Sequence, residues 1–139
     1  VVAALLKLGD GRVCATVPMQ YAVQAALDGD RSHQASFREA LRARAAVTTA
    51  ALNAIPGMSC AAPAGAFYAM PKLSLPPGRT DEDYVLALLR EAGVLCVYGS
   101  GFGTRPEDGF FRVIFLAEPA ELESIYATMA AFTRDYLRR

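Results

Sequence analysis

Phe110-Phe111-Arg112-Val113-Ile114-Phe115-Leu116 is the stretch on which the fold turns. All but one of its residues are apolar, and β-branched and aromatic side chains dominate, which suits a strand beside a core. Strand side chains alternate between faces. Phe111, Val113 and Phe115 therefore share one face, and Phe110, Arg112, Ile114 and Leu116 share the other. A guanidinium in such a strand needs an account, because burying an ion without a partner is expensive. Arg112 either reaches water, pairs with an internal acid, or takes an anion from outside. Its planar fork matches a carboxylate through two parallel hydrogen bonds. Spacing alone leaves a structural ion pair and a ligand contact equally open.

Immediately upstream, Val94-Leu95-Cys96-Val97-Tyr98 reads as a strand, followed by Gly99-Ser100-Gly101-Phe102-Gly103 and a polar loop over residues 104–109. The hairpin-like link predicts antiparallel pairing with the Arg112 strand. The glycine run lacks the dinucleotide fingerprint and any Gly-Lys-Ser/Thr ending, and its pattern opens no helix. It reads as a flexible connection that lets backbone come close to something. That something is either another part of the chain or a ligand shared with Arg112.

Further out, Ala66-Phe67-Tyr68-Ala69-Met70 predicts a strand closed by Pro71, and Met58 to Gly65 a loop or short strand. Pro76-Pro77-Gly78 is a surface turn. Thr80 with Asp83 predicts a capping box opening a helix with Tyr84, Val85, Leu88, Leu89 and Ala92 as its buried stripe and Gly93 as its stop. The acids Asp81-Glu82-Asp83 are accounted for by the helix dipole. Pro119 starts the last helix, with Leu122, Ile125, Tyr126, Met129, Phe132 and Tyr136 as its apolar stripe.

Nearer the start, Pro18 opens a helix that stops at Asp28-Gly29, and Ser32 is the expected cap of a longer one. In that longer helix Phe37, Leu41, Ala45, Thr48, Leu52 and Ile55 form a stripe, Arg38, Arg42 and Arg44 a solvated face, and Pro56-Gly57 the end. Gly9-Asp10-Gly11 reads as a turn, and residues 1–8 fit either a strand or a helix. Few and short strands among helices predict an α+β fold: a small, mainly antiparallel sheet with helices packed on one face.

Composition narrows the function. The 139 residues carry 14 basic and 14 acidic side chains, which argues against a nucleic-acid or membrane-surface partner. A hydrophobic share of 53% supports a buried core. Cys14, Cys60 and Cys96 have no metal-like spacing and predict free thiols in a reducing compartment, the cytoplasm. His33, the single histidine, sits at a polar helix start, so neither a zinc site nor a Cys-His pair can be assembled. Ser59 and Ser100 lack a histidine–acid set, which excludes a hydrolase triad. The chain opens on Val1 inside an apolar run and is expected to be a piece of a longer protein.

Taken together, Pro63-Ala64-Gly65-Ala66-Phe67-Tyr68, the acid-opened helix, Glu91-Ala92-Gly93-Val94, Tyr98-Gly99-Ser100-Gly101-Phe102-Gly103 and Phe111-Arg112-Val113 closely resemble the C-terminal part of class I/II pyridoxal-phosphate-dependent aminotransferases of fold type I. Residues 12–24, Arg12-Val13-Cys14-Ala15-Thr16-Val17-Pro18-Met19-Gln20-Tyr21-Ala22-Val23-Gln24, look most like the alanine (glutamate–pyruvate) branch. The resemblance implies that Arg112 grips the α-carboxylate of an amino acid or 2-oxo acid, with Gly65, Gly101 and Phe102 as possible active-site lining. It implies a homodimer in the intact protein, pyridoxal phosphate held by a missing large domain, and a division into residues 1–30, the tail end of that large domain and the interdomain helix region, and 31–139, the C-terminal small domain. The family's cofactor lysine has a Ser-x-x-Lys-like setting, which neither Lys7 nor Lys72 has. No catalytic, cofactor-binding or metal residue is therefore expected in this chain, and alone it is expected to bind no cofactor and to be inactive. A C–S lyase or an aminocyclopropane-carboxylate synthase would use the same grip. The alternative is a stand-alone carboxylate-binding or structural module without catalysis.

Overall fold

The computed structural model describes residues 2–10 and 16–139. Cys14, the Gly11 end of the expected first turn, and the Arg12 to Ala15 part of the resemblance lie outside the described residues. The chain divides into two compact units, Val1–Ser36 and Phe37–Arg139.

In the first unit, α1 (Val2–Asp10) is a helix, as its Ala- and Leu-rich composition favours. It runs through Gly9 and Asp10, so the turn expected there is not formed at those residues. Helix α2 (Val17–Asp28) begins with a proline in its first turn, has Thr16 at the N-cap position without a side-chain cap bond, and ends where Gly29 N–H donates to Ala25 O. No residue of α2 is buried. Helix α3 (Ser32–Asn53) starts in the first unit and continues from Phe37 in the second, and Ser32, its expected cap, is its first residue. The Asp30 carboxylate takes the capping role by accepting the Ser32 N–H at 3.0 Å. His33 is exposed in the first turn, as its polar surroundings predict.

The second unit holds five short strands, β1 (Met58–Ser59), β2 (Tyr68–Ala69), β3 (Lys72–Leu73), β4 (Val97–Tyr98) and β5 (Phe111–Ile114), with α4 (Asp81–Ala92) and α5 (Pro119–Tyr136). The β2, β5 and β4 strands form an antiparallel sheet in that order, with Tyr68 opposite Ile114 and Val97 opposite Arg112. The β1 and β3 strands pair antiparallel, and a bridge from Lys72 to Phe110 joins the two sheets. The architecture is the α+β one expected. It has more strands than the sequence suggested, because Pro71 does not close the sheet. Its carbonyl accepts the Phe111 N–H at 3.0 Å, and the chain resumes directly as β3. A proline at such a point forfeits only a donor the ladder does not use.

The alternation of β5 is observed. Phe111, Val113 and Phe115 are buried among Tyr84, Leu88, Tyr126, Met129 and Leu52, while Ile114 and Leu116 are exposed. Helix α3 departs from its expected pattern at two places. Phe37 is exposed, and the α3 stripe is fully buried only from Thr48 onward. Arg44 is not on a solvated face: its side chain is 12% exposed and pairs with Glu118, the N-cap residue of α5.

Helix α4 carries the complete capping box, with Asp83 N–H donating to Thr80 Oγ1 at 3.1 Å and Thr80 N–H donating to Asp83 Oδ2 at 3.0 Å. The Thr80 hydroxyl, which donates to Asp83 Oδ2 at 2.8 Å, and the Thr80 N–H together hold the Asp83 carboxyl below its usual range. Thr80→Ala should cost about 1 kcal/mol in a denaturant titration at neutral pH. A lowered folded-state value stabilises the fold above the ordinary aspartate range and is lost as pH falls through it. The difference between Thr80→Ala and the parent should therefore shrink in acid. A cost that stays constant down to full protonation would remove Asp83 from the box.

Cys60 and Cys96 are free and buried, as expected for reduced thiols. Burial pushes the Cys96 thiol up to about 12. Iodoacetamide near neutral pH should leave Cys96 unmodified in the folded chain and label it in urea, as read by peptide mass spectrometry. Rapid labelling of the native protein would contradict the buried placement.

Candidate functional site

Arg112 lies on the opposite face of β5 from the core, half-buried. Among the described residues it pairs with no acid, and its Nε is buried without a hydrogen-bond partner. Of the three ways to hold this guanidinium, the internal ion pair is not found among the described residues. Two rings flank it instead. Its Cζ is 4.4 Å from the centre of the Phe102 ring and 5.3 Å from that of Tyr68. Cation–π contacts of this kind contribute about 0.5–2 kcal/mol each, depending on how dry the site is. They take up none of the guanidinium's N–H donors.

The rings arrive from two directions. Tyr68 comes from β2, where it faces Ile114 and is therefore a diagonal neighbour of Arg112 on the same face of the sheet. Phe102 comes from the glycine run, which is not an unstructured connection but a 3-10 turn, Gly99–Phe102. That turn starts where Gly99 N–H donates to Phe110 O at 2.8 Å. A Cβ on Gly99 would lie 2.6 Å from that same carbonyl oxygen, so only glycine permits the approach. Gly101 sits beside the Tyr98 ring, at 3.3 Å from where its Cβ would be.

Gly65 stands apart from this group. It lines a cavity of about 380 Å3 with Arg38, Leu41, Arg42, Ala66 and Phe115. Phe115 belongs to the other side-chain set of β5, so the structure brings Phe102 and Tyr68, not Gly65, onto Arg112. Ala66 in this loop has φ +59°, a left-handed conformation that is uncommon for a residue with a side chain.

Sequence reasoning missed two contributors. Tyr68 could have been found by extending the face alternation across a β2–β5 pair. Asp81 could not. It was assigned to the helix dipole, but it is 1% exposed and accepts hydrogen bonds from Ser100 N–H at 2.6 Å and Ser100 Oγ at 3.0 Å.

Arg112 thus stands on β5 beside the Gly99–Phe102 turn with no acid partner among the described residues. Residues 1–128 match the family described as aminotransferase class I and II. The chain belongs to that family. A glutamate–pyruvate aminotransferase of Haemophilus influenzae is 37% identical over 93% of this chain and 33% of its own length. Human alanine aminotransferase 1 is 32% identical over 95% of this chain and 32% of its own. The solved alanine aminotransferase from Pyrococcus furiosus is 36% identical, with a TM-score of 0.82 over 93% of this chain and 33% of that one. These matches bear out the resemblance to the alanine branch. The chain spans about a third of the length of the relatives it matches.

The family implies pyridoxal phosphate, so the residues present were tested against it. Lys7 is exposed on α1. Lys72 is exposed on β3, with its Nζ 5.3 Å from the centre of the Phe110 ring, a surface cation–π contact rather than a pocket for a cofactor amine. Neither lysine has the enclosed setting the group needs. No cluster of three or more metal-ligating side chains occurs among the described residues, and none of their helices is long and apolar enough to cross a membrane.

Proposed function

We propose that this chain is the small-domain portion of an amino-acid aminotransferase and supplies the grip on the α-carboxylate of an amino acid or 2-oxo acid. The observation that carries the reading is Arg112: a half-buried arginine with no acid partner among the described residues and with its Cζ over the rings of Phe102 and Tyr68. An external carboxylate completes it with two parallel charged hydrogen bonds. Gly101 and Phe102 line the approach to it, and Gly65 belongs to the neighbouring loop. Residues 31–139 form the small domain and residues 1–30 its junction with a large domain that holds the cofactor lysine.

Arg112 acts by position. It fixes the carboxylate, and with it the orientation of the amino group, without making or breaking a bond. Alanine, glutamate and their 2-oxo acids are the substrates favoured by the named relatives. The parent protein functions as a homodimer, and this chain alone is catalytically silent.

In the full-length protein that carries this chain, Arg112→Lys should weaken alanine binding by about 1.5–3 kcal/mol, the scale of a hydrogen bond to a charged group. Isothermal titration or KM for alanine reads this directly. Unchanged affinity would take Arg112 out of the site. Adding pyridoxal phosphate to residues 1–139 alone, followed by borohydride, should give no single stoichiometrically modified lysine by mass spectrometry. One fully modified lysine would overturn the division of labour between the two domains.

A further inference from the structure

We propose that Asp81 is a positioning residue for the carboxylate grip: it fixes the Gly99–Phe102 turn, and the turn holds the Phe102 ring on Arg112. The inference rests on Arg112 being the carboxylate receptor. It adds a residue from a different element, the first turn of α4, to that site.

Phe102 needs an external hold. Its side chain is 52% exposed, so core packing does not fix the ring. What fixes it is the backbone of its turn, which has two ties to the rest of the unit. One is the Gly99 N–H to Phe110 O bond at the edge of β5. The other is Ser100, whose N–H donates to Asp81 Oδ2 at 2.6 Å and whose hydroxyl donates to Asp81 Oδ1 at 3.0 Å. Without the second tie, the turn would pivot on Gly99 alone, two residues before the ring that Arg112 leans on.

Asp81 is not needed for the more ordinary task of a helix-start acid. The capping box of α4 is already complete with Thr80 and Asp83. An exposed acid would suffice for the helix dipole, as Glu82 shows on the next residue. Yet Asp81 is nearly inaccessible to solvent. Its remaining bond is the Glu82 N–H at 2.8 Å to the same Oδ1 that accepts the Ser100 hydroxyl. All three donors need an acceptor, and a carboxylate supplies acceptors only. An asparagine cannot satisfy them: its amide NH2 would face either the Ser100 N–H or the Glu82 N–H, donor against donor.

The test compares alanine with alaninamide in the full-length protein. The two share the amine and the methyl group and differ in the carboxylate, so their ratio of kcat/KM reports the grip. A substitution that only destabilises the fold lowers both values together and leaves the ratio intact. Asp81→Asn should reduce the preference for alanine by about 10- to 100-fold, the scale of a small misplacement of an orienting group. Ser100→Ala keeps the backbone N–H and should reduce it by about 3- to 10-fold, the scale of one lost hydrogen bond. If Asp81→Asn does not fold, Ser100→Ala carries the test. An unchanged ratio in the folded variants, whatever happens to their Tm, overturns the role of Asp81. Arg112→Lys in the same assay separates the two ideas. A ratio that falls for Arg112→Lys but not for Asp81→Asn or Ser100→Ala rejects only the latch. A ratio that ignores Arg112→Lys rejects the carboxylate reading itself, and the latch with it.

Discussion

Phe111→Ala should lower the free energy of unfolding by about 3–5 kcal/mol, the range for truncating a buried aromatic ring. Phe111 is fully buried. Its ring lies 5.2 Å from that of Tyr84, which also meets Phe132 at 5.9 Å and Tyr136 at 5.3 Å. Removing the ring leaves a cavity bounded by these aromatics, and they cannot collapse into it freely. The Tyr84 hydroxyl is tied to Thr133 Oγ1 at 2.8 Å, and Thr133 Oγ1 lies 2.7 Å from Met129 O. The loss should also reach the site, because Phe111 and Arg112 are consecutive on one strand. A urea titration followed by far-ultraviolet circular dichroism measures the first effect. A shift under about 1 kcal/mol, no more than removing a single methyl group from a core costs, would mean that the aromatic cluster does not carry the second unit.

Gly109→Ala should be of comparable severity for a different reason. Gly109 has φ +71°, where an L side chain is strained by about 1–2 kcal/mol. A Cβ there would also lie 2.1 Å from the carbonyl oxygen of Leu73. That oxygen is backbone, so no rotamer change relieves the clash. The backbone is doubly committed at this point, because Leu73 N–H donates to Gly109 O at 2.9 Å. Relief requires β3 to move away from the start of β5, breaking that bond and the Lys72–Phe110 bridge. The expected outcome is a Tm too low to measure, or expression as insoluble protein. Gly103→Ala is the control. It also has positive φ, at 97°, but nothing lies within 4 Å of its would-be Cβ, so it should pay the conformational strain alone. Similar losses for the two substitutions would show that the contact with β3 contributes nothing.

Much of this was legible in the residues. The face alternation of β5 could be read directly, because six apolar side chains around one arginine leave a single arrangement with a dry face. The capping box of α4 was legible for the same kind of reason: Thr80 and Asp83 need only each other and the local backbone. What could not be read was anything that depends on a partner distant in sequence. Asp81 looks like any acid at a helix start until the fold brings Ser100 to it. Arg44 looks like one of a run of surface arginines until Glu118 arrives. The strands were under-counted because two-residue strands carry too few side chains to show a period, and Pro71 disguised the boundary between two of them. In the opening residues, length again decided: a short apolar run fits either period, and the helix was settled by propensity rather than by pattern.

The strand order β2-β5-β4 has a consequence for how the protein is made. Both outer strands leave the ribosome before the one that lies between them. Until Phe111–Ile114 is synthesised, β2 and β4 have no common partner, and their open edges are available to other chains. The sheet cannot be assembled piecemeal from its N-terminal side; it closes in one late event, around the segment that carries Arg112. The grip and the fold therefore mature together. A nascent chain stopped short of Phe110 should be an aggregation hazard rather than a partly working domain.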